Sequence, residues 1–380
     1  MDDMAHDLRL PAELIPDDGR FGSGPSKVRQ DAVEHLAKAA PTYLGTSHRK
    51  PGVREVVARV REGLASMYTL PDGYEVLLGI GGATLFWDAA TFGLVRERSL
   101  HYVFGEFSSK FALAAGRAPH LRRPVVVESD FGTHPAPVVD ESTDVYALTH
   151  SETSTGVAMP VQRTVTDGDD GPIVVVDATS AAGGLRVDPE AFDVYYFSPQ
   201  KCFGAEGGLW LALCSPAAIA RIESIAADGD RWQPASLSLA LALDNSRQNQ
   251  TYNTPALATL FLLAEQVEWI CSQGGIEWAA SRCDASADVV YGWAEASDHM
   301  QPFVTDPAQR SHTVATIDFD TSVDAAAVCR VLRANGIVDV EPYRKLGRNQ
   351  MRVALFPDIT TDDVATLTRA VDHVVAHLTG

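Results

Sequence analysis

Unbroken runs of β-branched and other apolar residues punctuate the first two-thirds of the chain: EVLLGI (75–80), HYVF (101–104), PVVVES (124–129), VYALTH (145–150), IVVVDA (173–178), VYYFS (194–198) and LWLALCS (209–215). Helix-length segments separate several of them, such as the one from Thr84 through Leu94. A strand without apolar–polar alternation is covered on both faces, as in a parallel sheet wrapped by helices. The runs therefore predict a large α/β domain built on a mostly parallel, seven-stranded-type sheet.

From about residue 270 the texture changes. TVATIDF (313–319) reads as a strand and DAAAVCRVLRANG (324–336) as a helix stopped by Gly336. IVDVEPY (337–343) and QMRVALF (350–356) read as two more strands. A last helix starts near Thr360 and Thr361, with Asp362 and Asp363 at the positive end of its dipole. Its apolar face is Val364, Leu367, Val371, Val374 and Leu378, at helical spacing. These elements predict a small α+β C-terminal domain. The expected division is 1–20 as an N-terminal arm, 21–265 as the large domain and 266–380 as the small one, with the boundary inside the helical 256–282 region.

Composition narrows the function. Fifty Asp and Glu against 31 Lys and Arg leave a net charge of −19 on 380 residues. So acidic a surface repels phosphate backbones and disfavours nucleic-acid or anionic-membrane partners. Only six of the cations are lysine (27, 38, 50, 110, 201 and 345). The five cysteines (202, 214, 271, 283 and 329) are widely spaced with no C-x-x-C, so neither a disulfide framework nor a metal site is expected. The N-terminal segment is acidic and broken by Pro11 and Pro16, unlike a signal peptide. The most apolar later stretch, 256–270, carries Glu265 and Glu268 and is too short to span a bilayer. A soluble, cytoplasmic protein is expected.

Three places carry candidate chemistry. Lys201 follows a predicted strand ending near Ser198, among Phe197, Cys202 and Phe203. It reads either as an incidental strand-end lysine or as a desolvated amine able to form a Schiff base. Asp177 ends IVVVD. It reads either as a turn or cap residue with Thr179 and Ser180, or as an acid that keeps a pyridine nitrogen protonated. In GIGGATLFWDAATFGL (79–94) the glycines precede a helix start. There the backbone amides and Thr84 either form a tight turn or receive a phosphate monoester. No Walker G-K-[ST] is present, and the dinucleotide spacing G-x-G-x-x-G is incomplete. The order of the three, with Lys201 following the strand-end acid, favours a pyridoxal-phosphate enzyme.

The stretches RFGSGPSKVR, LGTSHR, GYEVLLGIGGAT, GEFSSKFA, SETSTGV, SPQK, NQTYNTPA, EPYRKLGRNQMRVALF together resemble the phosphoserine aminotransferases of actinobacterial type. That family belongs to the class V branch of the fold-type I pyridoxal-phosphate aminotransferases, and the resemblance runs from about Arg20 to the C-terminus. It implies a homodimer with shared active sites. Lys201 would carry the Schiff base and shuttle the proton, and Asp177 would hold the pyridinium. Ala83, Thr84 and Gln200 would hold the cofactor phosphate, joined by Asn253 and Thr254 from the other subunit. Thr153 would lie near the phenolic oxygen, and Phe107 would stack on the ring where many relatives carry Trp. His48 and Arg49 match the pair that binds substrate anions, and Arg352 the carboxylate-binding arginine. Arg344, Lys345 and Arg348 form a second basic cluster toward the substrate phosphate, where the pattern departs from many relatives.

The implied substrates are L-glutamate and 3-phosphohydroxypyruvate, giving 2-oxoglutarate and O-phospho-L-serine in serine biosynthesis. The resemblance leaves open a second phosphorylated oxo-acid on the route to pyridoxine. Alternative readings are an alanine– or serine–glyoxylate aminotransferase, which needs no second anion site, and a non-catalytic α/β binding protein. A cysteine desulfurase is disfavoured, since Cys329 falls in a predicted helix and Cys202 has no evident mobile loop.

Overall fold

The computed structural model describes residues 8–164 and 171–379, so residues 1–7 of the expected arm and the terminal Gly380 lie outside the described residues. The strands are β1 (Glu75–Ile80), β2 (Ser99–Val103), β3 (Val125–Glu128), β4 (Val145–Thr149), the short hairpin β5 (Ser151–Glu152) and β6 (Val157–Ala158), β7 (Ile173–Asp177), β8 (Val194–Phe197), β9 (Leu209–Cys214), β10 (Met300–Pro302), β11 (Val314–Phe319) and β12 (Gln350–Ala354). The helices are α1 (Gln30–Tyr43), α2 (Pro51–Met67), α3 (Gly82–Gly93), α4 (Glu106–Arg117), α5 (Pro216–Ala227), α6 (Leu239–Arg247), α7 (Leu257–Gln273), α8 (Gly275–Glu295), α9 (Ala325–Ala334) and α10 (Thr361–Thr379).

Seven strands form one sheet in the order β1-β9-β8-β7-β4-β2-β3. Only β9 runs against its neighbours; the β8-β7-β4-β2-β3 ladder is parallel throughout. This is the mostly parallel sheet that the apolar runs predict, with each of the seven runs forming one strand. Period-two alternation sorts the strands β1, β9, β8, β7 and β4 between two cores. Val174 and Val176 join Val76 and Leu78 in the core under α2 and α7, whereas Ile173, Val175 and Leu77 join the core under α3 and α5. Both faces of these strands are thus dry, which is why their runs show no polar alternation, while the edge strand β3 leaves Val126 and Glu128 exposed.

The third core lies among β10-β11-β12, an antiparallel sheet, and α8, α9 and α10. Leu10 and Phe21 of the N-terminal segment are buried in it. The core partner changes along α8: Ala279 packs in the first core and Ala287 in the third. The Thr360 hydroxyl accepts from the Asp363 amide at 3.0 Å and donates to its carboxylate at 2.7 Å, which closes the start of α10.

One expected strand is absent. In IVDVEPY (337–343) only Val338 pairs, through an isolated bridge to Arg20. Asp339 sits at a left-handed φ of 65°, and Pro342 has no N–H to give a ladder, so the extended run cannot continue. The third strand of that sheet is Met300–Pro302 instead, too short to stand out in the sequence. The five cysteines are free thiols. Among the described residues no helix is long and apolar enough to cross a membrane.

Candidate active site

The parallel ladder brings the C-terminal ends of its strands to one edge of the sheet, and the candidate residues follow those ends. Asp177 closes β7 and stands in register with Tyr196 on β8. Three residues beyond Ser198, the turn after β8 delivers Lys201. After β1 the chain passes through Gly81 (φ 100°) and Gly82 (φ 77°) into α3. Side chains larger than hydrogen are strained there, so the glycines let the amides of Ala83 and Thr84 open toward the same edge. No side chain caps this helix start, so its first N–H groups are available to an anion.

These segments line a cleft of about 330 Å³. Ala83, Thr84, Phe107, Thr153, Asp177, Gln200 and Lys201 all border it. A surface groove of about 410 Å³ between α4 and β3 gathers none of them. Asp177 is 4% exposed. Its carboxylate accepts from the Trp87 indole N–H (3.2 Å) and the Thr179 amide (3.0 Å). Lys201 is 8% exposed, and its Nζ donates to the Ser23 carbonyl. Burial, and then the positive charge of Arg352, push its amine down to about 7. The Phe107 ring lies 6.0 Å from that Nζ. The Thr153 hydroxyl hydrogen-bonds that of Ser180.

Two features at or behind the cleft had no assignment from the sequence. The first is Ser23–Gly24, which crosses the cleft beside Lys201. A Cβ on Gly24 would lie 2.3 Å from the lysine Nζ, and its φ of 129° also excludes most residues. The glycine-flanked GSGP signal was visible, but its closeness to Lys201 is set by tertiary packing. The second is Glu152, which is fully buried. It accepts from the amides of Phe107 (3.1 Å) and Ser108 (2.9 Å) and from the Ser154 hydroxyl (2.7 Å). The carboxyl therefore sits on the N-terminus of α4 and fixes the turn bearing Phe107. A Cβ on Gly105 would come within 2.3 Å of the Glu152 side chain, which explains the glycine of GEFSSK. Burial pushes the Glu152 carboxyl above its ordinary range.

Arg352, on β12, approaches the cleft from the second sheet by way of Thr153, which borders it. Its guanidinium donates to the Thr153 carbonyl at 3.0 Å and lies 5.4 Å from the Tyr343 ring, while its Nε is buried without a partner. The neighbouring cations are placed differently. Lys345 pairs with Glu106, Arg348 pairs with Asp318 and stacks 4.4 Å over Phe303, and Arg344 is exposed.

The other four residues gather elsewhere. His48 Nδ1 meets the Thr254 hydroxyl at 3.1 Å, and Arg49 donates to the Gln250 side chain (2.7 Å) and the Tyr252 carbonyl (3.4 Å). Burial, and then the charge of Arg49, push the His48 imidazole down. Asn253 borders a small pocket beside Trp210 and Ser238. None of His48, Arg49, Asn253 and Thr254 lines the Lys201 cleft of the same chain.

The class-V aminotransferase family pattern matches residues 133–340. The chain is 56% identical over 369 residues to the phosphoserine aminotransferase of Rhodococcus jostii, covering 97% of this chain and 98% of that protein. A crystal structure of a phosphoserine aminotransferase from Cytophaga hutchinsonii is similar with a TM-score of 0.86 and 26% identity, covering 94% of this chain and 99% of that one. A pyridoxal-phosphate-bound phosphoserine aminotransferase from Trichomonas vaginalis shares the fold, with a TM-score of 0.79, 17% identity, and coverage of 93% and 99%.

Proposed function

The chain belongs to the phosphoserine aminotransferases of the class-V aminotransferase family, and on that premise we propose that it moves the amino group of L-glutamate to 3-phosphohydroxypyruvate, yielding 2-oxoglutarate and O-phospho-L-serine for serine biosynthesis in the cytoplasm. The observation that carries this reading is the meeting, in one cleft, of a buried lysine amine, a buried carboxylate and an uncapped helix start. The cleft fits pyridoxal phosphate. Ser23 Oγ, Thr179 Oγ1 and Gln200 Oε1 are buried at or beside it without hydrogen-bond partners, an arrangement that suits a polar ligand rather than an apolar one.

In this reading the α3 amides of Ala83 and Thr84, with Gln200, hold the phosphate, Asp177 holds the ring nitrogen, Thr153 meets the phenolic oxygen, and Phe107 covers the ring face. When bound, the cofactor supplies a ring that takes up the electrons released as the substrate Cα–H bond breaks. Lys201, kept substantially neutral by burial, accepts that proton and returns it. Arg352 receives the substrate carboxylate, and its planar fork suits that task. Two copies complete the site: His48, Arg49, Asn253 and Thr254 serve the neighbouring subunit's cleft, where they meet the substrate and cofactor phosphates. Of the second basic cluster, Lys345 and Arg348 are paired with Glu106 and Asp318, which leaves the exposed Arg344 as the cation that adds positive potential toward the substrate phosphate.

The test has two parts. Purified protein should take up pyridoxal phosphate with visible absorbance that Lys201→Ala abolishes; a protein that takes up none refutes the enzyme reading. With glutamate as donor, phosphohydroxypyruvate should be consumed faster than glyoxylate, and the reverse order would favour a glyoxylate aminotransferase.

A further inference from the structure

Helix α3 presents two side chains to the cleft one turn apart. Thr84 and Trp87 are spaced i, i+3, so they share a face, and both border the cleft. Thr84 lies at the helix start. Trp87 lies deeper, where its indole N–H donates to Asp177 Oδ2 at 3.2 Å. The indole is 4% exposed and stacks on Phe111 of α4 with ring centroids 6.4 Å apart and planes 16° from parallel. The other Asp177 oxygen accepts from the Thr179 amide, so each carboxylate oxygen has one fixed donor. From the neighbouring strand the buried Tyr196 ring stands in register with Asp177, and Asp177's charge, after burial itself, helps push its hydroxyl far above the usual phenol range.

A bare tryptophan N–H is rarely buried against an anion without consequence. Hydrogen bonds donated to a buried carboxylate favour its charged form and fix its plane. We propose that Trp87 is a positioning residue for the cofactor: its indole N–H orients Asp177 and keeps the shared proton on the ring nitrogen rather than on the carboxylate. This inference rests on the pyridoxal-phosphate reading of the cleft. It also gives α3 a double task, since one turn of helix then sets both the phosphate end and, through Asp177, the nitrogen end of the same ligand.

The test compares wild type with Trp87→Phe and Trp87→His. Phenylalanine keeps a ring against Phe111 but has no N–H, whereas the smaller histidine restores a donor. Cofactor affinity is measured by absorbance titration, and the protonation of the ring nitrogen by ¹⁵N NMR of protein loaded with ring-labelled cofactor. W87F should weaken cofactor binding about tenfold, the scale of one buried hydrogen bond to a charged group, and should move the nitrogen signal toward its unprotonated position. W87H should recover part of both. A packing role predicts the opposite ranking, with histidine worse than phenylalanine, and no movement of the nitrogen signal. Either of those results overturns the proposal. Failure of wild type itself to bind the cofactor would instead refute the underlying reading.

Discussion

The Lys201 amine offers a quantitative test that needs no substrate. An exposed lysine titrates near 10.5, and in the cofactor-free protein this one is pushed to about 7. Burial is the largest cause and the Arg352 charge the next, while Cys202, Asp177 and Glu152 pull the other way. Half of the amine is then neutral at pH 7, against about one part in three thousand for an ordinary lysine, a gain of roughly a thousandfold in nucleophile. The same displacement corresponds to about 5 kcal/mol at most, an order-of-magnitude figure. The sign follows from proton counting. Between about 7 and 10.5 the folded protein binds fewer protons at this site than the unfolded chain, so stability falls as pH is lowered through that window, and the loss is complete below it. Trace acetylation with acetic anhydride from pH 5 to 10.5, read by peptide mass spectrometry, should show Lys201 labelling half-maximal near pH 7. Arg352→Gln should move that midpoint upward, because a like charge is removed. Lys201→Met should raise the melting temperature at pH 6 and leave it nearly unchanged at pH 10.5. A labelling midpoint above 9 in the wild type would refute the reasoning.

Three further outcomes follow from close packing and burial. Gly24→Ala places a methyl 2.3 Å from Lys201 Nζ at a φ of 129°; cofactor affinity should fall at least tenfold, with a stability loss of about 1–3 kcal/mol, as checked by absorbance titration and urea unfolding. Gly79→Ala puts a Cβ 2.2 Å from the Trp210 ring, where β1 meets β9. The core cannot yield there without moving an indole, so a loss of about 1–3 kcal/mol or more is expected in denaturant melts. Asp358 is buried with neither carboxylate oxygen bonded, and burial pushes its carboxyl to about 7 despite Lys27. The folded state then holds its proton where the unfolded chain has lost it, so stability falls as pH rises from about 4 through 7. Asp358→Asn should flatten the melting temperature between pH 5 and 8, and an unchanged pH profile would contradict it.

The seven strands were legible because the sheet, apart from the outer face of its edge strand β3, is dry on both sides, so each apolar run maps onto one strand. Lys201 and Asp177 were legible for a related reason: a charged residue at the end of an apolar run marks the open edge of a parallel sheet. What failed was local. IVDVEPY has strand composition, but Asp339 adopts a left-handed φ that composition does not report. Glu152 lay in plain view in SETSTG, yet its role depends on the amides of a helix 45 residues upstream. Trp87 is only one more aromatic of an apolar helix in the sequence, and it is the bond from its N–H to Asp177 that sets it apart. For Glu152 and Trp87 the deciding partner is distant in sequence, and periodicity carries no information about it.

The placement of the basic residues bears on the proposal that two copies complete the site. Phosphohydroxypyruvate brings two anionic groups, so two cations not already neutralised are needed. Beside the cleft Arg352 is one, its hydrogen bond going to the neutral carbonyl of Thr153, which borders the cleft, and its charge felt by Lys201. Lys345 and Arg348 are held by Glu106 and Asp318, which cancels most of their charge. Arg49 is different: among the described residues its guanidinium bonds to the Gln250 amide oxygen and the Tyr252 carbonyl, both neutral, so its charge is left for an anion. Yet it does not line its own chain's cleft. In the dimer proposed above, a second copy related by a two-fold axis would resolve this, each chain lending Arg49 to its partner. The arrangement predicts complementation. Lys201→Ala and Arg49→Ala should each be nearly inactive alone toward phosphohydroxypyruvate. After co-refolding in equal amounts, half of the dimers are mixed, and each mixed dimer has one intact site made of Lys201 from one chain and Arg49 from the other. About a quarter of wild-type activity should return, as random pairing in a two-fold dimer requires. If Arg49 instead served its own chain's cleft, no mixed dimer would contain an intact site and activity would stay at the level of the single variants.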